Sequence, residues 1–127
     1  LNFAPLHNAV QQLDTLAAAY DASLAAATAA GTLSNETRRA VNRIVMLTER
    51  SLTRDDGLPR RTWFRHQIYA PGFYTGYGVK TLPAVREAIE ERAWNEAADQ
   101  IPHVAAVLTD LAATLERATE LLTVAAP

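Results

Sequence analysis

Residues 57–77 read GLPRRTWFRHQIYAPGFYTGY, and prolines at 59 and 71 with glycines at 57, 72 and 76 stop any regular helix from passing through them. The sequence on either side is helix-compatible, so the chain must consist of helices joined across one long irregular crossover. Trp63, Phe64, Tyr69, Phe73, Tyr74 and Tyr77 lie in this stretch, leaving only Phe3, Tyr20 and Trp94 elsewhere. Connections longer than about 12 to 15 residues are uncommon in compact domains and are usually functional or disordered. Such aromatic density argues against disorder. The crossover, taken as residues 53–82, is therefore expected to be ordered and to carry function.

Leu6, Val10, Leu13, Leu16, Tyr20 and Leu24 recur every three or four residues among alanines, which predicts an amphipathic helix over 5–30. Pro5 suits its first turn and Gly31 the left-handed position after its last. Its many small side chains predict packing on two sides. Ser34 is a candidate cap for a second helix over 34–52, with Ala40, Val41, Ile44, Val45, Leu47, Thr48 and Leu52 inward and Arg38, Arg39, Arg43 and Arg50 mostly off that stripe. The Asn35-Glu36-Thr37 sequon at this capped start reads as structural. Pro83, with Thr81 as a possible cap, opens a third helix over 83–92, and a fourth runs over 94–124. Pro102 must either kink or split that last helix. No alternating pattern outside the crossover builds a strand, and Gln67 to Ala70 is too short for a sheet. The expected fold is all-α: a four-helix up-and-down bundle with one long aromatic-rich loop.

At 127 residues the chain supports one domain. It begins at Leu1 rather than Met, and is expected to be a domain of a longer protein. A net charge of -2 gives no general attraction to nucleic acid or anionic lipid. No apolar run reaches the roughly 18 residues of a membrane span. The absence of cysteine leaves the compartment open, an exported or periplasmic parent included. Arg38, Arg39, Arg43 and the arginines of the crossover face an acidic second half with Glu87, Glu90, Glu91, Glu96, Asp99, Asp110, Glu116 and Glu120. The two are expected to pair, within the bundle or across a dimer.

His7, His66 and His103 fall on three separate segments without ligand partners at helical spacing, so no metal site is expected. Ser23, Ser34 and Ser51 lack a glycine elbow or adjacent base, and the TGYG segment does not precede a helix as a dinucleotide fingerprint does. Neither catalytic residues nor a cofactor are expected. Arg65, His66 and Tyr69 offer donors and aromatic faces for a carboxylate or peptide, while Trp63, Phe64 and Tyr69 are expected to form the crossover's own core. Tyr74 and Tyr77, flanked by glycines, are placed near its tip as candidates for a ligand or partner.

The run GLPRRTWFRHQIYAPGFYTGYGVKTLPAVREAI resembles the transferrin-receptor-like dimerisation domain, the C-terminal helical region of glutamate carboxypeptidase II and related zinc peptidases. NFAPLHNAV, RIVMLTERSL and AWNEAADQIPHVAAVLTDLAATL are similar to its first, second and last helices, so the likeness is collinear over essentially the whole chain. It implies a four-helix bundle that joins two subunits of a zinc-dependent exopeptidase and also contacts the peptidase domain of its own chain. The two zinc ions would lie in that domain, and this one would not be catalytic alone. The family's loop enters the substrate cleft, where a lysine followed by a tyrosine meets the carboxylate end of a glutamate-type substrate. That pair falls on Gly76 and Tyr77, next to Tyr74 and Thr75: the tyrosine is kept and the lysine is absent. Lys80 is the only lysine in the chain. The connection near Arg92 to Trp94 is also shorter than in the best-known members. The alternatives are the bundle of a non-enzymatic, receptor-like relative that binds a protein, and a self-contained module whose loop takes a small acidic ligand.

Overall fold

The computed structural model describes residues 1–124. Helix α1 (Ala4–Ala30) has Pro5 in its first turn and ends at Gly31, whose φ of +67° no β-carbon opposes. The amides of Gly31 and Thr32 donate to the Thr28 and Ala27 carbonyls, so the last turn is closed by the chain itself. The Ser34 hydroxyl accepts the Thr37 amide at 3.0 Å and opens α2 (Asn35–Val45).

The single helix expected over 34–52 is two. It breaks at Met46 and Leu47 before α3 (Thr48–Ser51), because the Thr48 hydroxyl donates to the Val45 carbonyl at 2.8 Å and takes the acceptor that a continuing turn would use. After the crossover come α4 (Pro83–Glu90) and α5 (Trp94–Val124). Thr81 does not cap α4. It is drawn into a strand, and Leu82, at φ +48° and with its amide on the Ile68 carbonyl at 2.7 Å, holds the N-terminal position instead. Pro102 lies inside α5 without splitting it, on an exposed face where water reaches the carbonyl left without a partner.

Helices α1, α2, α3 and α4 all pack on α5. Leu6 and Ala9, early in α1, share a cluster with Val85 of α4 and with Ile101, Val104, Ala105 and Leu108 of α5. Ala27, late in α1, joins Val41 of α2 and Ala118 and Leu122 of α5. The two long helices therefore run in the same direction, whereas an alternating up-and-down order would oppose the first and the last. Helices α4 and α2 cover successive halves of the α1–α5 pair. Only one side of α1 is filled: Ala18, Ala22, Ala25 and Ala29, one stripe at helical spacing, are exposed.

Nor is the chain wholly α. Within the crossover β1 (Tyr69–Pro71) pairs antiparallel with β2 (Val79–Thr81), Ala70 opposite Lys80. Three residues a side give no readable alternation, and the hairpin forms because its surroundings hold both strands. Leu58, Ala70 and Ala84 make a third cluster that seats the crossover on α4. Phe64 packs against it, but Trp63 and Tyr69 are exposed, so the crossover's own core is smaller than its aromatic content predicts.

Candidate functional site

The tip of the hairpin, residues 72–78, is closed by backbone bonds from Gly72 to the Gly78 carbonyl at 2.8 Å and from Gly76 to the Gly72 carbonyl at 3.2 Å. Gly76 has φ +61° with open space where a β-carbon would stand, so its backbone, and not crowding, favours glycine. Gly72 is buried, and a β-carbon there would collide with the Thr75 hydroxyl. That hydroxyl turns inward, 3.4 Å from the Gly78 carbonyl. Tyr77 is fully exposed at 104% and Tyr74 at 76%, with the Phe73 ring edge-on to Tyr74 at 4.8 Å. The candidate residues thus share one tip: Tyr77 stands free of it, Tyr74 rests on Phe73 with most of its ring exposed, Gly76 shapes it, and Thr75 braces it.

Beneath the tip lies a buried ion pair. Arg61 is 3% exposed and Glu87, on α4, 5%. One guanidinium nitrogen of Arg61, Nη2, donates to both Glu87 oxygens, at 2.8 and 2.7 Å, and Glu87 Oε1 also accepts the Phe73 amide at 2.8 Å. Arg61 Nη1 donates to the Pro71 carbonyl. The Phe73 ring lies 5.6 Å from the guanidinium carbons of both Arg60 and Arg61, within cation–π range. Arg60 in turn bonds Glu96 at 2.8 and 3.0 Å and lies 3.7 Å from Glu91. Those carboxylates, Glu96 first, raise its already high pKa.

Lys80 is paired with Glu90, which also accepts Arg86 Nε at 3.0 Å. Bonding by Lys80, then Arg86, lowers the Glu90 pKa. Arg60, Arg61 and Lys80 of the crossover thus meet acidic residues of the chain's second half within one chain, while Arg54 pairs with Asp56 inside the crossover itself. Arg38, Arg39 and Arg43 of α2 stay exposed, and among the described residues they form no ion pair.

Arg65 and His66 are occupied internally. Arg65 lies 3.1 Å from Asp55. His66 Nδ1 accepts the amides of Ile68 and Tyr69, both at 3.2 Å, which assigns its proton to Nε2, 3.1 Å from Glu49 but off the line of a directed bond. The Tyr69 hydroxyl donates to the same Glu49 oxygen at 2.7 Å, which raises the phenol pKa. Among the described residues no three His, Asp or Glu side chains converge as metal donors.

Sequence reasoning singled out neither Arg61 nor Glu87. A signal was present: Glu87 sits among Ala84, Val85 and Ala88 on the apolar face of α4, where a carboxylate needs a partner.

A family model, the transferrin receptor-like dimerisation domain, matches residues 1–116. Among similar proteins, a probable glutamate carboxypeptidase, LAMP1, of Arabidopsis thaliana is 46% identical over 52 residues, 41% of this chain and 8% of that protein. A probable glutamate carboxypeptidase of Arthroderma benhamiae is 40% identical over 53 residues, 42% of this chain and 7% of its own length. The chain thus matches only a small part of either relative. With a match over nearly its whole length, it belongs to the transferrin receptor-like dimerisation domain family.

Proposed function

We propose that this chain is the dimerisation domain of a glutamate-carboxypeptidase-like zinc exopeptidase, joining two copies of the protein and lending its hairpin tip to the substrate cleft, without catalysis of its own. The observation that carries the cleft role is the contrast at the tip: the amides of Gly72, Gly76 and Gly78 are bonded within it, yet the Tyr77 side chain is fully exposed and that of Tyr74 largely so. Large aromatic side chains left exposed on an ordered loop are typical of binding. The carboxypeptidase names of the two relatives favour this over a non-enzymatic, receptor-like parent. The exposed alanine stripe of α1 supports self-association, since small side chains allow helices to approach closely.

The chemistry of the tip favours a neutral substrate side chain over an acidic one. Residues 69–79 carry no charge, Gly76 offers no cation, and Lys80 is held by Glu90. Tyr77 supplies a hydroxyl donor and a ring. The two zinc ions expected of such a peptidase would be held by a separate peptidase domain, since among the described residues no three His, Asp or Glu side chains come together. The test uses the full-length protein: sedimentation should give a dimer, and kcat/KM should be higher on neutral than on acidic dipeptides. A monomer at tens of micromolar overturns the dimer role, and a strong preference for acidic dipeptides overturns the substrate reading.

A further inference from the structure

We propose that the buried Arg61–Glu87 pair is the positioning device of the hairpin tip, fixing where Tyr74 and Tyr77 stand. Only the kinetic consequence of this proposal rests on the cleft reading; the positioning follows from geometry. An ion pair between a loop and a helix can hold the two together through side chains alone. Here it also grips the backbone: Arg61 Nη1 bonds the Pro71 carbonyl and Glu87 Oε1 accepts the Phe73 amide at 2.8 Å. Those two groups flank Gly72, the residue at which β1 becomes the tip, and Gly72 itself closes the tip onto Gly78. The tip is thereby oriented as a unit against α4. The Phe73 ring between Arg60 and Arg61, with Arg60 bonded to Glu96, extends the same register to α5. Hydrogen bonds are directional where apolar contact is not, so this pair sets an angle that packing would leave loose.

The test replaces the pair instead of breaking it, since removing one partner strands a buried charge. In the full-length protein, Arg61→Met with Glu87→Leu should keep α1 and α5 as protected from hydrogen exchange as before. Exchange at the bonded amides of the tip, those of Gly72, Phe73, Gly76 and Gly78, should rise about ten-fold or more, as a local opening confined to the tip. A tip that samples several orientations is competent for only a fraction of the time, and apparent affinity falls by that fraction. KM should therefore rise several-fold while kcat stays within about two-fold. A folded double variant whose tip exchanges at the original rate overturns the proposal. Faster tip exchange with KM unchanged supports the positioning role and removes the cleft reading. Should the double variant fail to fold, Glu87→Gln decides: it keeps a carbonyl for Phe73 but loses the charge, and tip exchange equal to the parent's overturns the proposal while a faster one supports it.

Discussion

The α1–α5 body and the crossover are held together by different physics. Leu6, Ala9, Val85, Ile101, Val104, Ala105 and Leu108 form one half of the body's interior and Ala27, Val41, Ala118 and Leu122 the other, all apolar. The crossover buries little and is fastened by directed bonds: Leu58 to Phe64 at 2.9 Å, Gln67 to Leu52 at 2.9 Å, and the ion pairs of Arg60, Arg61 and Lys80. Its backbone also carries strain. Of the three non-glycine residues with positive φ among the described residues, Arg60 and Leu82 lie in it. Burial is non-directional and gives the body bulk stability, whereas bonds and strained dihedrals give the crossover one shape. Bulk stability suits a scaffold and a fixed shape suits a contact surface.

Removing the charge on α4 that anchors the crossover should cost the most. Glu87→Ala leaves Arg61 buried without its partner and should destabilise the protein by about 3–5 kcal/mol, read from denaturant unfolding. Replacing both, Arg61→Met with Glu87→Leu, should cost far less. In the body, volume takes the place of charge. Ile101→Ala at a 1% exposed site should cost about 2–5 kcal/mol, while Ile101→Leu should cost under about 1.5 kcal/mol. If Glu87→Ala proves as mild as a surface change, the pair is not what fastens the crossover and the contrast between the regions is wrong.

The contrast also explains what could be read from the sequence. The α1 stripe, Pro5, Gly31 and the Ser34 cap are local signals acting through the nearest turn. Membership of the family was legible because the likeness runs collinearly from NFAPLHNAV through the crossover run to the last helix, and the family's model matches residues 1–116. The hairpin was not legible, since three-residue strands depend on groups far along the chain, among them Ile68 bonding Leu82. Thr81 shows the same limit, as a plausible cap was taken by pairing with Tyr69. The break at Met46 turned on one Thr48 hydroxyl, which could equally have bonded elsewhere. Glu87 was hidden by number: in a crowd of acidic residues, only its place on the apolar face of α4 set it apart.

Changes at the surface of the tip should separate shape from chemistry. Tyr77→Phe should leave stability unchanged, because the side chain is fully exposed. If its hydroxyl meets a substrate carboxylate, the loss is one charge-assisted bond of about 1.5–3 kcal/mol, roughly a ten-fold to hundred-fold rise in KM at constant kcat. Unchanged kinetics on neutral and acidic dipeptides alike would make Tyr77 a bystander. Gly76→Lys, which adds a cation to the uncharged tip, should strain the backbone at φ +61° by about 1–2 kcal/mol without a clash at the β-carbon. At Arg92, φ +59° beyond the end of α4, Arg92→Gly should relieve such strain and raise stability by up to about 1 kcal/mol. Heat denaturation of the two glycine-related variants should therefore shift in opposite directions.

The smallest effect is expected from acid, and it distinguishes the two kinds of ion pair inside the crossover. Glu90, bonded first by Lys80 and then by Arg86, titrates below its ordinary value of 4.5 when the protein is folded. A carboxyl whose folded pKa is depressed binds protons more readily in the unfolded chain, so it contributes stability above the unfolded value and loses it as pH falls through the folded one. The Lys80–Glu90 tether of β2 to α4 should thus be constant from pH 7 to about 5 and weaken only below the ordinary carboxylate range. Because Glu90 is exposed, the tether should also weaken as salt rises from 0.1 to 1 M, whereas the buried Arg61–Glu87 pair should respond little. The measurement is the unfolding midpoint of Glu90→Gln against the parent, in both salts and down the pH scale. A gap that narrows below pH 4.5 and in high salt identifies an ionic tether, and one that persists unchanged to pH 3 means that Glu90 acts through packing alone.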